Sequence, residues 1–333
     1  MTKYKSDTSL EIPWIINLEL TNACNLSCIF CDYPILKKKM NISEMSNKLM
    51  LKIFSDVLEL KKVTGGKIHE LGLVGLGEPT LDRLFDSHIS VVSDYAEHFE
   101  RVSLNSNLVS LKPERVETLL NSGVNTYTFS VNASNMETYK QMMGADLFDA
   151  VINNLNYFLA KLSEMSKKVM VDLQVVESKH NSVEELKDLI PLAGELNINI
   201  FFRKMYSKPV IQESTDLVDI FDAKGMERYP CWDIYSRIYI DCEGNVYPCT
   251  IGNDSYRETS GFCLGNVERN SILEIFNNKR ISEARKRNEK GGPAFPECSE
   301  CNIWSIQPNN FIFDINEKVW KKKESQKRAF GLK

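Results

Sequence analysis

The 333-residue sequence has no cysteine between residues 32 and 230, although it contains nine cysteines in all. It also has no apolar run of about 18 residues, the length that a membrane-spanning helix requires. Its first residues, Met-Thr-Lys-Tyr-Lys-Ser-Asp, lack the apolar segment of a signal peptide. A formal net charge of −4 gives no electrostatic footprint for nucleic-acid binding. We therefore expect a cytoplasmic protein that binds neither membranes nor nucleic acids.

The cysteines fall into two groups, three before residue 32 and six beyond residue 230. In a chain without a secretion signal, cysteines at this density favour metal-binding thiolates over disulfides. The length of the chain favours two domains. The split between the two groups favours two functional parts, one around each group.

The first group, Cys24, Cys28 and Cys31, has the spacing C-x3-C-x2-C and directly follows the apolar run 15–21. A short loop can therefore direct all three thiols to one centre. Iron–sulfur clusters and structural zinc ions are normally held by four ligands. Three thiolates favour an incomplete cluster with one iron open to a reactant. The alternatives are a redox dithiol, a partial zinc knuckle and a chance spacing.

Over the first 205 residues, strand and helix patterns alternate. Apolar and β-branched runs predict six strands, and helical spacing predicts five helices, the first capped by Asn41 or Ser43. This order is typical of an α/β fold with a parallel sheet, and six strands rather than eight fit an open or partial barrel. Functional loops then follow the carboxyl ends of the strands. The predicted strands are 15–21, 69–76, 101–105, 125–131, 169–176 and 199–205, and the helices are 42–62, 82–97, 112–121, 146–161 and 183–196.

The cysteine spacing, with Phe30 just before the last cysteine, resembles the signature of the radical S-adenosylmethionine (radical SAM) enzymes. The resemblance covers about residues 14–206 and implies a partial (β/α)6 barrel. It also implies that Cys24, Cys28 and Cys31 hold a [4Fe–4S] cluster whose open iron binds S-adenosylmethionine (SAM). Such enzymes cleave SAM reductively to a 5′-deoxyadenosyl radical, which abstracts a hydrogen atom from a substrate C–H bond. The expected electron donor is a flavodoxin- or ferredoxin-like protein.

By the same resemblance, the turn after the second strand binds the amino group of SAM. The family has a Gly-Gly-Glu-Pro-like turn there, and this chain has Gly75-Leu76-Gly77-Glu78-Pro79, in which Leu76 replaces a glycine. Polar residues at the ends of the third and fourth strands are placed to meet the carboxylate and ribose of SAM, or else bond their own backbone as turn residues. The expected cofactor-binding residues are Phe30, Gly77, Glu78, Asn107, Ser130 and Asn132.

Alternation along the strands predicts which side chains face the barrel lumen. The fourth strand carries a polar row on one face, which is unexpected for a strand buried on both faces. Each polar residue alone is explained by a solvated or structural role, but several rows that converge on one lumen predict a substrate cavity. The row is Thr126, Thr128, Ser130 and Asn132, and the other predicted lumen residues are Asn17, Glu19, Asp172, Gln174 and either Arg203 or Lys204. Asp172 and Arg203 are the catalytic candidates among them.

The second cysteine group supplies a set of four thiols. Cys231 and Cys249 bracket a predicted hairpin. Cys298 and Cys301 form a C-x2-C pair, so a small fold can bring the four together. A structural zinc ion is the alternative occupant. The pattern resembles the SPASM and twitch extensions of radical SAM enzymes, which carry auxiliary [4Fe–4S] clusters. Gln307 stands where the next SPASM cysteine would be, so we expect one auxiliary cluster in a small hairpin-plus-helix domain.

The chain therefore divides into five expected segments. They are an N-terminal extension (1–13), the barrel (14–206), a linker (207–230), the auxiliary domain (231–305) and a C-terminal tail (306–333).

Cys242 and Cys263 remain outside both sets, and either could give a hydrogen atom to a substrate radical or be an unreactive thiol. If the auxiliary cluster accepts an electron from the radical, the net reaction is an oxidation (dehydrogenation), which we expect. Thiol quenching would instead give an epimerase, and maturation of a ribosomal peptide by epimerisation or crosslinking is the alternative function. Only 23 residues precede Cys24, too few for the peptide-binding domain of many relatives, which favours a sugar, a cyclitol or another small molecule. The competing classes are a zinc-binding interaction module and a two-cluster electron carrier.

Overall fold

The structure is a computed structural model. It describes residues 11–305 except 166, 179, 182, 191–197, 208–213, 227, 229 and 251–260, and in addition residues 311–314 and 319–322. Most of the predicted N-terminal extension, parts of the predicted linker and most of the predicted C-terminal tail therefore lie outside the described residues. Within the described ranges, no helix combines the length and the apolar character needed to cross a membrane.

Six parallel strands lie side by side in chain order and form the α/β partial barrel that the sequence predicts. Leu18 pairs with Leu73 on the next strand, and Ser130 pairs with Gln174. Most apolar side chains of these strands are buried, as expected for a parallel sheet covered by helices, and those of β6 are half-buried. The strands are β1 (Ile15–Leu18), β2 (Ile68–Leu73), β3 (Phe99–Ser106), β4 (Thr126–Ser130), β5 (Met170–Val176) and β6 (Asn199–Arg203).

The helices that connect these strands bury their apolar faces against the sheet. Ile53, Phe54 and Val57, for example, are fully buried in one core cluster with the strand residues. The helices are α1 (Tyr33–Leu36), α2 (Asn47–Thr64), α3 (Phe85–Tyr95), α4 (Pro113–Leu120), α5 (Met136–Met143), α6 (Phe148–Glu164) and α7 (Val183–Leu189).

The start of α2 differs from the sequence prediction. Ser46, rather than Asn41 or Ser43, caps the helix, because its hydroxyl accepts the N–H of Leu49 at 3.1 Å. Ser43 is used elsewhere, since its N–H donates to the side chain of Asn22 at 2.7 Å. The segment before α2 therefore packs on the loop that follows β1.

Helix α5 was not predicted, and it lies against the first cysteine group. Asn135 caps its start, and Gly144 ends it with a φ of 71°. The N–H of Ser27 donates to the carbonyl of Met143 at 3.2 Å. A Cβ atom at Gly144 would meet the backbone of Ser27, so the close approach requires glycine.

The C-terminal part extends the barrel sheet. Strand β9 pairs in parallel with β1, so that Leu18 is opposite Ile240, and the hairpin to β10 continues the sheet to β11. The helices here are α8 (Asp233–Ser236), α9 (Ile272–Phe276) and α10 (Lys279–Glu289). The remaining strands are β7 (Met205–Tyr206), β8 (Ile220–Phe221), β9 (Arg237–Ile240), β10 (Asn245–Tyr247), β11 (Gly265–Asn266), β12 (Phe311–Asp314) and β13 (Val319–Lys322).

Candidate active site

The cysteine loop, residues 22–32, follows β1 and carries the first thiol group. Burial raises the pKa of the Cys28 thiol, and the thiols of Cys31 and Cys24 raise it further. The three sulfurs are therefore close enough to act on one another. Thiolates in such a buried place need cations to stabilise their charge, and a metal cluster supplies them.

The β2 turn, residues 75–79, holds the start of the cysteine loop. The N–H of Glu78 donates to the carbonyl of Ala23 at 2.7 Å. A Cβ atom at Gly77 would collide with the backbone between Thr21 and Ala23, so only glycine fits there. The turn expected to bind SAM thus lies directly against the loop expected to hold the cluster.

The Glu78 side chain is fully engaged within the protein. Its carboxylate accepts the N–H of Thr80 at 3.0 Å, the hydroxyl of Ser106 at 2.9 Å and the N–H of Asn107 at 2.7 Å. Burial raises the pKa of Glu78, and these hydrogen bonds oppose the rise. The side chain joins the β2 turn to the end of β3, so any contact of this residue with SAM falls to its backbone.

Asn107 lies at the cysteine loop. Its side-chain amide donates to Asn25 at 2.8 Å and is 3.9 Å from the sulfur of Cys24. Its own side-chain oxygen accepts the N–H of Val109 at 3.0 Å, which is the turn contact that the sequence left open.

Asn132 has a structural position after β4. Its φ is 59°, and its side-chain oxygen accepts the N–H of Val176 at 3.2 Å. The residue is buried and ties β4 to β5. Ser130 is half-buried at the end of β4, and Phe30 is half-buried against the core. Contact of these three residues with SAM stays a prediction.

A cavity of about 470 Å³ occupies the barrel lumen. Predicted lumen residues that line it are Asn17, Thr128, Asp172, Gln174 and Arg203. The other lining residues are Ile15, His69, Glu70, Val74, Arg101, Ser103, Asn105, Phe201, Trp232, Arg237 and Thr250.

Several residues predicted to face the lumen are not part of the cavity wall. Glu19 is held instead by the β2 turn, because its carboxylate accepts the N–H of Leu76. Asn132 is held by β5, as described above. Lys204 lies over the ring of Phe221 at 6.0 Å, which leaves Arg203 as the lumen residue of that pair. Thr126 and Ser130 are also absent from the lining.

The cavity borders both thiol groups. Arg203 keeps part of its surface open to solvent, and partial desolvation by the surrounding wall lowers its pKa while the Cys31 thiol acts in the opposite direction. The pKa of Arg237 is raised overall. Burial alone would lower it, but nearby carboxylates and the thiols of Cys249 and Cys231 have the larger combined effect. The wall therefore reaches from the cysteine loop at Arg203 to the second group at Arg237. Trp232 and Thr250, the chain neighbours of two second-group cysteines, belong to the same wall.

The C-terminal fold brings three thiols of the second group, Cys231, Cys298 and Cys301, near one another. Burial raises the pKa of Cys231 well above its ordinary value, and the thiols of Cys301 and Cys298 contribute to the rise. Burial also raises the pKa of Cys301 to about 11. The Arg228 guanidinium donates to the carbonyl of Cys298 at 3.1 Å and so holds the C-x2-C segment.

The donors of both groups fit iron–sulfur clusters, which are bound by cysteine thiolates. In the described part of the chain, no three Cys, His, Asp or Glu side chains are grouped to bind a single metal ion. This finding is compatible with an iron–sulfur cluster, because each thiolate of a [4Fe–4S] cube binds a different iron. The Tyr139 hydroxyl, buried near Cys24 and Cys28, has no hydrogen-bond partner among the described residues. An acceptor at the cysteine loop would satisfy this hydroxyl.

Cys242 and Cys263 are buried in the core, and neither lines the cavity. Cys263 donates to the carbonyl of Gly265 at 3.3 Å. Burial raises the pKa of both thiols. The role of a hydrogen-atom donor stays a prediction for these residues, and their burial favours the unreactive alternative.

A six-stranded partial barrel with a three-thiol loop after its first strand defines an iron–sulfur protein whose first cluster has an open corner. The model of the radical SAM superfamily matches residues 18–174, and the model of the SPASM iron–sulfur cluster-binding domain matches residues 231–302. The chain therefore carries a radical SAM domain at residues 18–174 and a SPASM domain at residues 231–302. Its cofactors are a [4Fe–4S] cluster, an auxiliary cluster and SAM.

Curated relatives cover part of the chain. A probable GTP 3′,8-cyclase from Saccharolobus solfataricus is 31% identical over 186 residues, which are 55% of this chain and 54% of that protein. A GTP 3′,8-cyclase from Aquifex aeolicus is 25% identical over 199 residues, or 56% and 55% of the two chains. The chain thus spans about half the length of the curated relatives it matches.

Solved structures share the fold over most of the chain. SuiB from Streptococcus suis, bound to precursor peptide SuiA, has a TM-score of 0.61 and 16% identity, covering 89% of this chain and 71% of that one. BtrN in complex with AdoMet and 2-DOIA has a TM-score of 0.55 and 17% identity, covering 90% and 96%. At these identities the likeness shows the fold alone.

Proposed function

We propose that this enzyme oxidises a polar small molecule, using one electron to cleave SAM and returning one electron to the auxiliary cluster. When bound at the β2 turn, SAM would supply a 5′-deoxyadenosyl radical for abstraction of a substrate hydrogen atom, with methionine and 5′-deoxyadenosine as its products. The substrate radical then loses an electron and a proton, so the product has two hydrogens fewer. A flavodoxin- or ferredoxin-like protein supplies the first electron.

The position of the cavity supports an oxidation. In the wall, Arg203 interacts electrostatically with the Cys31 thiol, and Arg237 interacts with the thiols of Cys231 and Cys249. A substrate held there is close to the site of SAM cleavage and to a possible electron acceptor. The burial of Cys242 and Cys263 outside the wall weakens the case for thiol quenching and hence for epimerisation.

The residues of the chain position the reactants and exclude water. When bound, the clusters supply the electron that cleaves SAM and accept the electron that leaves the substrate. The backbone of the β2 turn binds the amino group of SAM beside the cysteine loop. Asp172 and Arg203 hold polar groups of the substrate, and the barrel walls keep solvent from the radical.

The lining supports a polar substrate of modest size. Most side chains of the wall are polar or charged, and its volume of about 470 Å³ is within the range of small-molecule sites. Chains of this fold bind 2-DOIA in BtrN and a precursor peptide in SuiB. A sugar, a cyclitol or a similar molecule agrees with the wall, and a peptide that places one residue in the lumen is the alternative.

The experiment is a screen with the anaerobically reconstituted, reduced enzyme and SAM in deuterated water. Pools of sugars, aminocyclitols and nucleotides, and separately short peptides, are analysed by mass spectrometry. The proposal predicts a product two hydrogens lighter than its substrate, equal in amount to the 5′-deoxyadenosine formed. A product of unchanged composition carrying one solvent deuterium would overturn oxidation in favour of epimerisation.

A further inference from the structure

A hydroxyl group from the C-terminal part reaches the turn that binds SAM. Tyr239 lies on β9 and donates to the carboxylate of Glu19 at 2.5 Å, across 220 positions of sequence. Glu19 directly follows β1 and is almost completely buried. Strand β9 is fixed here by its parallel pairing with β1, and the N–H of Glu19 donates to the carbonyl of Ile240 at 3.0 Å.

The same Glu19 oxygen holds the β2 turn. It accepts the N–H of Leu76 at 2.5 Å and lies 3.4 Å from the N–H of Gly77. A Cβ atom at Gly75 would lie 2.5 Å from this oxygen, so the carboxylate fills the space behind the turn and requires glycine there. The other Glu19 oxygen is buried without a hydrogen-bond partner among the described residues. One carboxylate oxygen of Glu19 therefore holds the backbone N–H groups of Leu76 and Gly77 in the turn.

The hydrogen bond from Tyr239 stabilises the negative charge of that oxygen. Burial raises the pKa of Glu19 to about 7, and the hydrogen bond from Tyr239 is the largest influence that lowers it. Hydrogen bonds to a buried charge are stronger than those between neutral groups. Loss of the hydroxyl would leave the carboxylate less stable and less firmly placed.

Tyr239 also belongs to the segment that carries an auxiliary ligand. The β9–β10 hairpin turns at Asp241, which accepts the hydroxyl of Tyr247 at 3.2 Å, and the rings of Tyr239 and Tyr247 lie 5.9 Å apart. Cys249 follows two residues after Tyr247. A short, packed route therefore connects the second thiol group to the β2 turn.

We propose that Tyr239 is a positioning residue for SAM, acting through Glu19 on the backbone of Leu76 and Gly77. The C-terminal part thereby sets the affinity of the barrel for SAM as well as supplying the auxiliary cluster. This inference rests on the proposed function, because it takes the β2 turn as the SAM site.

The test compares Tyr239→Phe with wild type in the reconstituted holoenzyme. We expect the dissociation constant of SAM, measured by equilibrium dialysis, to rise about tenfold, and the change that SAM causes in the EPR spectrum of the reduced cluster to need correspondingly more SAM. Iron content should be unchanged. Tyr235→Phe is the matched control, because that hydroxyl donates to the carbonyl of Arg285 at 3.1 Å in the same part of the chain. Unchanged SAM affinity in Tyr239→Phe would overturn the inference.

A double-mutant cycle with Glu19→Gln tests whether Tyr239 affects SAM binding through Glu19. If Tyr239 acts through Glu19, adding Tyr239→Phe to Glu19→Gln should weaken SAM binding little further, whereas fully additive losses would overturn the inference. Should Tyr239→Phe fail to fold, Glu19→Gln alone decides, and wild-type affinity in it contradicts the inference. A wild-type holoenzyme that bound no SAM would refute the proposed function, and the inference with it. SAM binding by wild type with an unaffected Tyr239→Phe would refute the inference alone.

Discussion

The two thiol groups are assembled in opposite ways. Cys24, Cys28 and Cys31 lie within eight residues, and neighbouring barrel elements hold their loop in place. The second group takes Cys231 and Cys249 from around a hairpin and joins them to a C-x2-C pair that follows α10. Three thiolates leave a coordination position for a reactant, whereas four close the site. The comparison supports the proposal that SAM is cleaved at the first group and that the second group accepts an electron.

The largest expected effect is from breaking the first group. Cys28→Ala should reduce 5′-deoxyadenosine formation to background, because two thiolates cannot hold the open cluster. Iron analysis should show the loss of one cluster while the auxiliary cluster remains. Chromatographic measurement of 5′-deoxyadenosine checks the result, and SAM cleavage at the wild-type rate would contradict the assignment.

Removal of one thiol from the second group should separate SAM cleavage from substrate oxidation. Cys298→Ala should lose the auxiliary cluster but still release 5′-deoxyadenosine, because the cysteine loop and the β2 turn are intact. The oxidised product should disappear, since the substrate radical has lost its electron acceptor. Undiminished oxidised product in this variant would show that the auxiliary cluster has no part in the oxidation.

A smaller effect is expected at the cavity wall between the groups. Arg203→Gln should lower kcat/KM for the substrate by roughly tenfold to a hundredfold, the cost of a lost hydrogen bond to a charged group. Lys204→Gln is the matched control, because Lys204 lies over Phe221 and outside the wall. Steady-state kinetics measure both variants, and equal effects would argue against a substrate contact for Arg203.

The smallest effect concerns how firmly the cysteine loop is held. Gly65 and Gly144 both have positive φ, at 65° and 71°, but only Gly144 approaches the loop, at the backbone of Ser27. Gly65→Ala should lower the free energy of unfolding by about 1 kcal/mol, and Gly144→Ala by about 2 to 3 kcal/mol, since the second adds a collision to the same strain. Denaturant titrations of both variants give the difference. Equal losses would mean that α5 does not brace the loop.

Sequence periodicity was sufficient for the six barrel strands because each strand carries its own local pattern, whereas helix α5 was not predicted. The six strands, the cysteine loop after β1 and the lumen positions of Asn17, Asp172 and Gln174 are all recovered in the structure. Alternation along a strand sets the face on which a side chain lies, and a parallel sheet brings the same ends together.

Contacts between segments that are far apart in the sequence could not be predicted from local periodicity. Nothing in the local pattern of β9 indicates that it pairs with β1, or that Tyr239 meets Glu19. The alternation rule placed Glu19 in the lumen, but its carboxylate is taken by the backbone of Leu76. The sequence position of Trp232 was a usable signal, because the residue directly follows Cys231, an expected cluster ligand, and it lines the cavity in the structure.

The most direct measurement is the fate of SAM in the anaerobically reconstituted and reduced wild-type enzyme. The account predicts methionine and 5′-deoxyadenosine in equal amounts, from a protein that contains iron and sulfide sufficient for two clusters. A protein that retains only zinc, or that binds SAM and never cleaves it under a strong reductant, would contradict the account.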